Sequence, residues 1–141
     1  MSLRNMTRLQ QQLRDLADPQ TLHDLHNLAG REVHAQIQAD FTAQQAPDGS
    51  YWQPSRAAQR EGRRTLRDSG ALQDGITWKA DSRGVVIQTT GRANRYAGFH
   101  QHGTRRLPKR QFMPEGSELP ARYEARLVNV FEGYFRSRYG S

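Results

Sequence analysis

Apolar residues recur at three- and four-residue steps toward both ends of this chain and at two-residue steps in its middle, and that change of period sets the expected architecture. Leu3, Met6, Leu9, Leu13 and Leu16 fall on one stripe of a helix over residues 3–16. Asp18-Pro19 stops that helix and starts another, because Asp caps a helix N-terminus well and Pro is tolerated in the first turn. Leu22, Leu25, Ala29, Val33, Ile37 and Phe41 carry the same period to about residue 45, where Ala46-Pro47-Asp48-Gly49-Ser50 ends the element in turn chemistry.

In the middle, Ile76, Trp78 and Ala80 alternate with polar neighbours, Asp81-Ser82-Arg83-Gly84 supplies a turn, and residues 85–90 are almost all β-branched. This predicts a β-hairpin with a four-residue loop, its second strand covered by a helix. Residues 96–102 read as a helical turn ending at Gly103, residues 104–110 as a basic loop, and residues 111–113 as a short third strand. Ser117 is expected to cap a last helix, with Glu118 at its positive end and Pro120 in its first turn. Its stripe is Leu119, Tyr123, Leu127, Val130, Phe131 and Tyr134, joined by Phe135, and it runs to about residue 138. Residues 55–68 permit a helix but offer no apolar face, and Gly62 weakens it further. The expected fold is α+β: a small antiparallel sheet, hairpin plus short third strand, packed by long N-terminal and C-terminal helices in a single domain. Residues 1–17 are a candidate separate helical arm. Leu66, Leu72, Ile76, Trp78, Val85, Ile87, Tyr96, Phe99 and Phe112 are expected to pack together.

At 141 residues, with 35% hydrophobic content and a mean hydropathy of −0.93, the chain is lean for a self-sufficient monomer, and self-association is expected. No apolar run is long enough for a membrane span or a signal peptide, which predicts a soluble protein made in the cytoplasm. The net charge of +7 is uneven: residues 50–110 hold thirteen Arg or Lys against four Asp or Glu. Arg dominates, the side chain that grips phosphate or carboxylate in a fork. Arg63, Arg64 and Arg67 in one segment and Arg105, Arg106, Lys109 and Arg110 in another are the candidate residues facing DNA or an acidic protein partner.

Candidate chemistry is sparse. Without cysteine there is neither disulfide, thiolate metal site nor thiol nucleophile. His23, His26 and His34 share a side of the second helix, yet His34 lies about 12 Å along the axis from His26, too far for one ion. They read as polar flanks of the apolar stripe. Ser69 beside Asp68 lacks a nucleophile elbow, and His100 with His102 would share a face only in an extended segment. The sequence therefore points to no catalytic residue, no metal and no cofactor; acid-base or nuclease chemistry at His100 and His102 is the minor alternative.

Read in order, Trp52-Gln53-Pro54, Leu66 with Ser69-Gly70 and Leu72, the hairpin, Tyr96-Ala97 with His100-Gln101 and Gly103, and the closing Pro108, Arg110 and Phe112 resemble the virion morphogenesis, or tail completion, proteins of tailed bacteriophages and Mu-like prophages. The resemblance covers roughly residues 50–114, with Gln111 where a Pro commonly follows the Arg and Pro114 where a Gly commonly follows the apolar pair. It implies a structural role for Trp52, Leu66, Gly70, Leu72, Tyr96, Ala97, His100, Gln101, Gly103, Arg110 and Phe112. It implies a virion protein that completes the tail or joins it to the head as a homo-oligomer, a ring where that role holds, docked on tail tube or connector proteins. An Arg-rich nucleic-acid-binding module is the alternative.

Overall fold

In the computed structural model, residues 3–54, 60, 71–91, 95, 97–105, 108–115 and 119–140 are described. Helix α1 spans Leu3–Ala17 and α2 spans Pro19–Ala43, parted by Asp18 alone. Asp18 has extended backbone, its carboxylate accepts from Gln20 N–H and Thr21 Oγ, and Pro19 opens the first turn. The cap and the proline thus act as their order in the sequence predicts. Gln44 ends α2 in the left-handed conformation, φ 62°, with its N–H turned back on the carbonyls of Asp40 and Phe41. The chain then reverses tightly: Ala46 N–H donates to Ser50 O at 2.7 Å, Asp48 accepts from Ser50, and Trp52 N–H reaches Gln44 O. This reversal sets Trp52 edge-on against Phe41, ring centroids 5.2 Å apart.

After the short helix α3, Ala71–Asp74, come β1, Ile76–Ala80, and β2, Val85–Thr89, paired antiparallel with Trp78 opposite Ile87. The four-residue loop forms as expected; Asp81 accepts from the N–H groups of Arg83 and Gly84. Helix α2 lies against this hairpin. A Cβ on Gly30 would sit 2.3 Å from the Trp78 ring, so only glycine permits the approach. His34 Nε2 donates to Ile76 O and His26 Nδ1 to Asp81 O, so these histidines fasten the helix to both ends of β1.

Helix α4 spans Ala97–His102 and α5 Ala121–Tyr139. Two expectations need correction. Residues 111–113 form no strand, and the sheet has two strands among the described residues; the N–H groups of Phe112 and Met113 are held by the Gln101 side chain instead. Helix α5 begins at Ala121 with Pro120 at the cap position and no side-chain cap, while Ser117 and Glu118 lie outside the described residues.

The core gathers Ile37, Phe41, Trp52, Leu72, Ile76, Ala97, Phe112 and Tyr123, with Val33, Ile87 and Met113 on its flank. Of the cluster expected from sequence, Leu72, Ile76 and Phe112 are in it and Ile87 borders it. Trp78 and Val85 are half-buried, and Phe99 is 54% exposed. The reason is periodicity: α4 buries Ala97 and Gln101, four residues apart, which turns Phe99 outward. Leu66 and Tyr96 lie outside the described residues.

One polar cluster is enclosed with this core. Asp40, 0% exposed, accepts from Arg122 Nη2 at 2.8 Å and from the Tyr123 hydroxyl at 2.6 Å, with Gln45 Nε2 at 3.1 Å. Arg122 Nη1 also reaches the carbonyls of Pro47 and Ala46. Hydrogen bonding to Asp40 raises the Arg122 pKa above its ordinary value, and burial, with that same carboxylate, pushes the Tyr123 phenol up. Removing one partner of a buried pair strands the other charge. Arg122→Ala is therefore expected to cost about 3 to 5 kcal/mol, read by urea unfolding, and Arg122→Lys a smaller share. A loss below about 1 kcal/mol would mean that Tyr123 and Gln45 suffice to satisfy the carboxylate.

Candidate assembly site

Of the residues singled out by sequence, Trp52, His100, Gln101, Arg110 and Phe112 meet where α4 faces the segment from Arg110 to Glu115. Helix α4 is six residues long and ends at Gly103, whose φ of 76° suits glycine and whose N–H closes on Phe99 O at 2.9 Å. From its buried face the Gln101 amide makes four hydrogen bonds. Its Oε1 accepts from Phe112 N–H at 3.0 Å and Met113 N–H at 3.2 Å; its Nε2 donates to Met113 O at 2.7 Å and to Glu115 at 3.0 Å. One side chain thus replaces the strand partner that the segment lacks.

Around it, Arg110 N–H donates to His100 O, Arg110 Nε to Gln53 O at 2.7 Å, and Trp52 Nε1 to Gln111 O at 2.8 Å. Trp52, Leu72, Ala97, His100, Gln101, Gly103, Arg110 and Phe112 therefore belong to one continuous structural region. Leu66, Gly70 and Tyr96 lie outside the described residues. Arg110 is 5% exposed, and burial lowers its pKa below the ordinary value. That placement removes Arg110 from the surface available to DNA or a partner. Arg105 and Lys109 are exposed, whereas Arg63, Arg64, Arg67 and Arg106 lie outside the described residues.

His100 and His102 are two residues apart on a helix and cannot share a face. His102 sits 3.3 Å from Glu115 at the surface. His100 is half-buried, and that burial, with Arg110 nearby, lowers its pKa below 6.5. Among the described residues no group of three His, Asp or Glu side chains could hold a metal ion, nor is any helix long and apolar enough to cross a membrane.

A sequence model of the phage virion morphogenesis family matches residues 3–128, from the first residue of α1 into the middle of α5 and through the whole Gln101 region. The chain belongs to the phage virion morphogenesis family. No curated protein and no solved structure matches it. As a family member it has a structural or assembly role in the phage and is associated with the virion.

Sequence reasoning about this family member missed the cluster of Asp40, Arg122 and Tyr123. One signal was present: Asp40 falls beside Ile37 and Phe41 on the apolar stripe of α2, where an acid must find a buried partner. Gln101→Leu leaves two backbone N–H groups of the segment without an acceptor, at about 1 to 3 kcal/mol each; the expected result is a markedly lower melting temperature and fast amide exchange at Phe112 and Met113. Exchange as slow as in the parent would show that packing alone holds the segment. For His100, the depressed pKa means that the unfolded chain takes up a proton first as pH falls. Its contribution to stability is complete above about pH 6.5 and declines from there toward its lower folded pKa. His100→Gln should flatten that part of the stability profile, and an unchanged profile would remove His100 as its source.

Proposed function

We propose that this virion morphogenesis protein completes the tail, or joins tail to head, as a ring of identical subunits built in the bacterial cytoplasm. The observation that carries the reading is an apolar cleft of about 510 Å³ between α1 and α5. Leu13, 59% exposed, Leu16, 40%, and Val128, 46%, stand open beside Phe131 and Phe135. The two helices are tied at one end, where Asp15 accepts from the Tyr139 hydroxyl and pairs with Arg138 at 3.3 Å. The apolar walls beyond that tie lack a cover among the described residues, and Glu132 and Arg136 at the rim offer both charges to a second copy. A tail end has rotational symmetry, and closed rings repeat one contact. Such a role calls for docking and self-association, with no catalytic step and no cofactor.

Light scattering at tens of micromolar should show a discrete oligomer. Leu13→Glu with Leu16→Glu should reduce it to monomer with little change in melting temperature, because the substituted sites are exposed. A parent protein that is monomeric under those conditions would count against the ring.

The exposed Arg105 and Lys109, and in the sequence alone the further cations Arg63, Arg64, Arg67 and Arg106, support a basic contact with DNA in the lumen of that ring or with an acidic face of the tail or head. Phosphate contacts let a genome slide past, whereas base readout would hold it. Duplex DNA should bind weakly, without sequence preference, and fall away steeply with salt; replacing Arg63, Arg64, Arg105 and Arg106 by Glu should abolish it with folding unchanged. Tight, salt-resistant, sequence-selective binding would favour a nucleic-acid-binding regulator, and no binding at low salt would leave the acidic protein face.

A further inference from the structure

At Val85 and Ile87 the outer edge of β2 is unpaired among the described residues. Thr90 N–H to Gly75 O at 2.7 Å and Asp81 N–H to Gly84 O at 3.0 Å bracket the hairpin, so its bonded pairs alternate through Thr77 with Gln88 and Lys79 with Val86. The backbone groups of Val85 and Ile87 consequently point away from β1, and they have no hydrogen-bond partner among the described residues. The opposite edge differs: the outward carbonyl of Ile76 is taken by His34, and α2 closes on Trp78 through Gly30.

Met113 and Pro114 run beside β2 without pairing to it. Between them lie two clefts, one of about 360 Å³ reaching from Val85 and Ile87 across Val33 and Ile37 to Leu119 and Leu127, the other of about 410 Å³ at Gln88 and Thr89. The segment cannot close this gap by pairing. Gln101 already holds the N–H groups of Phe112 and Met113 and the carbonyl of Met113, and Pro114 has no N–H to give. An open edge with an apolar slot alongside combines the two elements of strand-addition recognition: backbone groups to pair, and pockets for alternate side chains.

We propose that this edge of β2 receives an extended segment of a partner protein, with apolar side chains at alternate positions and polar or acidic ones between. The inward side chains would meet Val33, Ile37, Val85 and Ile87 in the slot. The outward ones would lie beside the exposed Val86 and Gln88 of β2, with Lys79 one strand further on the same face and Arg83 at the hairpin tip; the carboxylate of Asp81 is already occupied by the N–H groups of Arg83 and Gly84. A second copy of this chain is a poorer source. Among the described residues the free strand edge it could offer is that of its own β2, whose inward side chains, Val85 and Ile87, already line the slot of their own copy. The proposal rests on the assembly reading only in taking the partner to be another structural protein of the phage.

The test is amide hydrogen exchange on the full chain, with an acetylated nonapeptide alternating Val with Thr and Glu as the probe. In dilute protein alone the amides of Val85 and Ile87 should exchange fast, and millimolar peptide should slow them by about tenfold or more. The same peptide N-methylated at alternate residues, so that it cannot pair with β2, should give no slowing. Val85→Pro removes one outward N–H without touching the ladder to β1; it should lose the peptide effect while the amides of Asp81 and Thr90 stay protected. Ala29→Phe, which fills the slot from its floor, should lose it too. Slow exchange in dilute protein without peptide would show the edge to be closed by the chain itself. Protection that rises with protein concentration would make the occupant a second copy, and no slowing with peptide would remove the site; each of these results overturns the proposal. Monomeric behaviour in light scattering alongside a positive peptide result would sink the ring alone, so the two failures are distinguishable.

Discussion

A carboxylate without exposed surface sits where α2, the turn after it and α5 meet. Asp40 could not be enclosed there as a lone charge, since burying an unpaired carboxylate costs more than the packing around it returns. Arg122 and Tyr123 make the position tenable, and both come from the far end of the chain. The guanidinium also holds the carbonyls of Ala46 and Pro47, so the turn that swings Trp52 onto Phe41 is fixed by the same group that fixes α5. Apolar contacts alone would accept several rotations of α5 about its axis. A forked donor meeting a buried acceptor accepts far fewer, which makes the pair a device for registering two helices.

The Gln101 region depends on that registration at second hand. Trp52, positioned by the turn, gives its indole N–H to Gln111 O, and the same stretch is gripped from the other side by Gln101. Arg110 threads between them to Gln53 O. Among the described residues of the motif, Trp52, His100, Gln101 and Arg110 close one hydrogen-bonded circuit around Phe112 through side chains and backbone groups. Its chemistry is that of an internal framework. The surfaces left for partners are elsewhere: the α1–α5 cleft, the exposed cations and the edge of β2.

Much of this was legible in the sequence, because local rules govern it. The joint at Asp18-Pro19, the end of α2, the hairpin with its loop and the amphipathic last helix all follow from capping, turn chemistry and period. The third strand was misread for an equally physical reason: residues 111–113 have the look of an extended segment, but whether that segment pairs with a sheet is decided by Gln101, eleven residues before Phe112. The start of α5 was misplaced because Ser117 is a good cap in isolation, whereas the helix forms only from Ala121. Trp78 reads as core by hydrophobicity, yet the smallness of Gly30 draws it toward α2 instead. Arg110 looked like part of a cationic band; charge along a sequence does not tell which guanidinium turns inward.

Asp15 has a significance larger than one ion pair. It lies in the first helix, and the groups it holds, Arg138 and Tyr139, lie in the last turn of α5, so the two extremities of the described fold share a single anchor. Cleavage after Ser137, or a bulky fusion crowding that turn, would act at a distance in sequence by unmooring α1. Preparations differing only in how the chain is trimmed or tagged there would then differ in the set of the first helix, and with it in the shape of the cleft that a neighbour would meet.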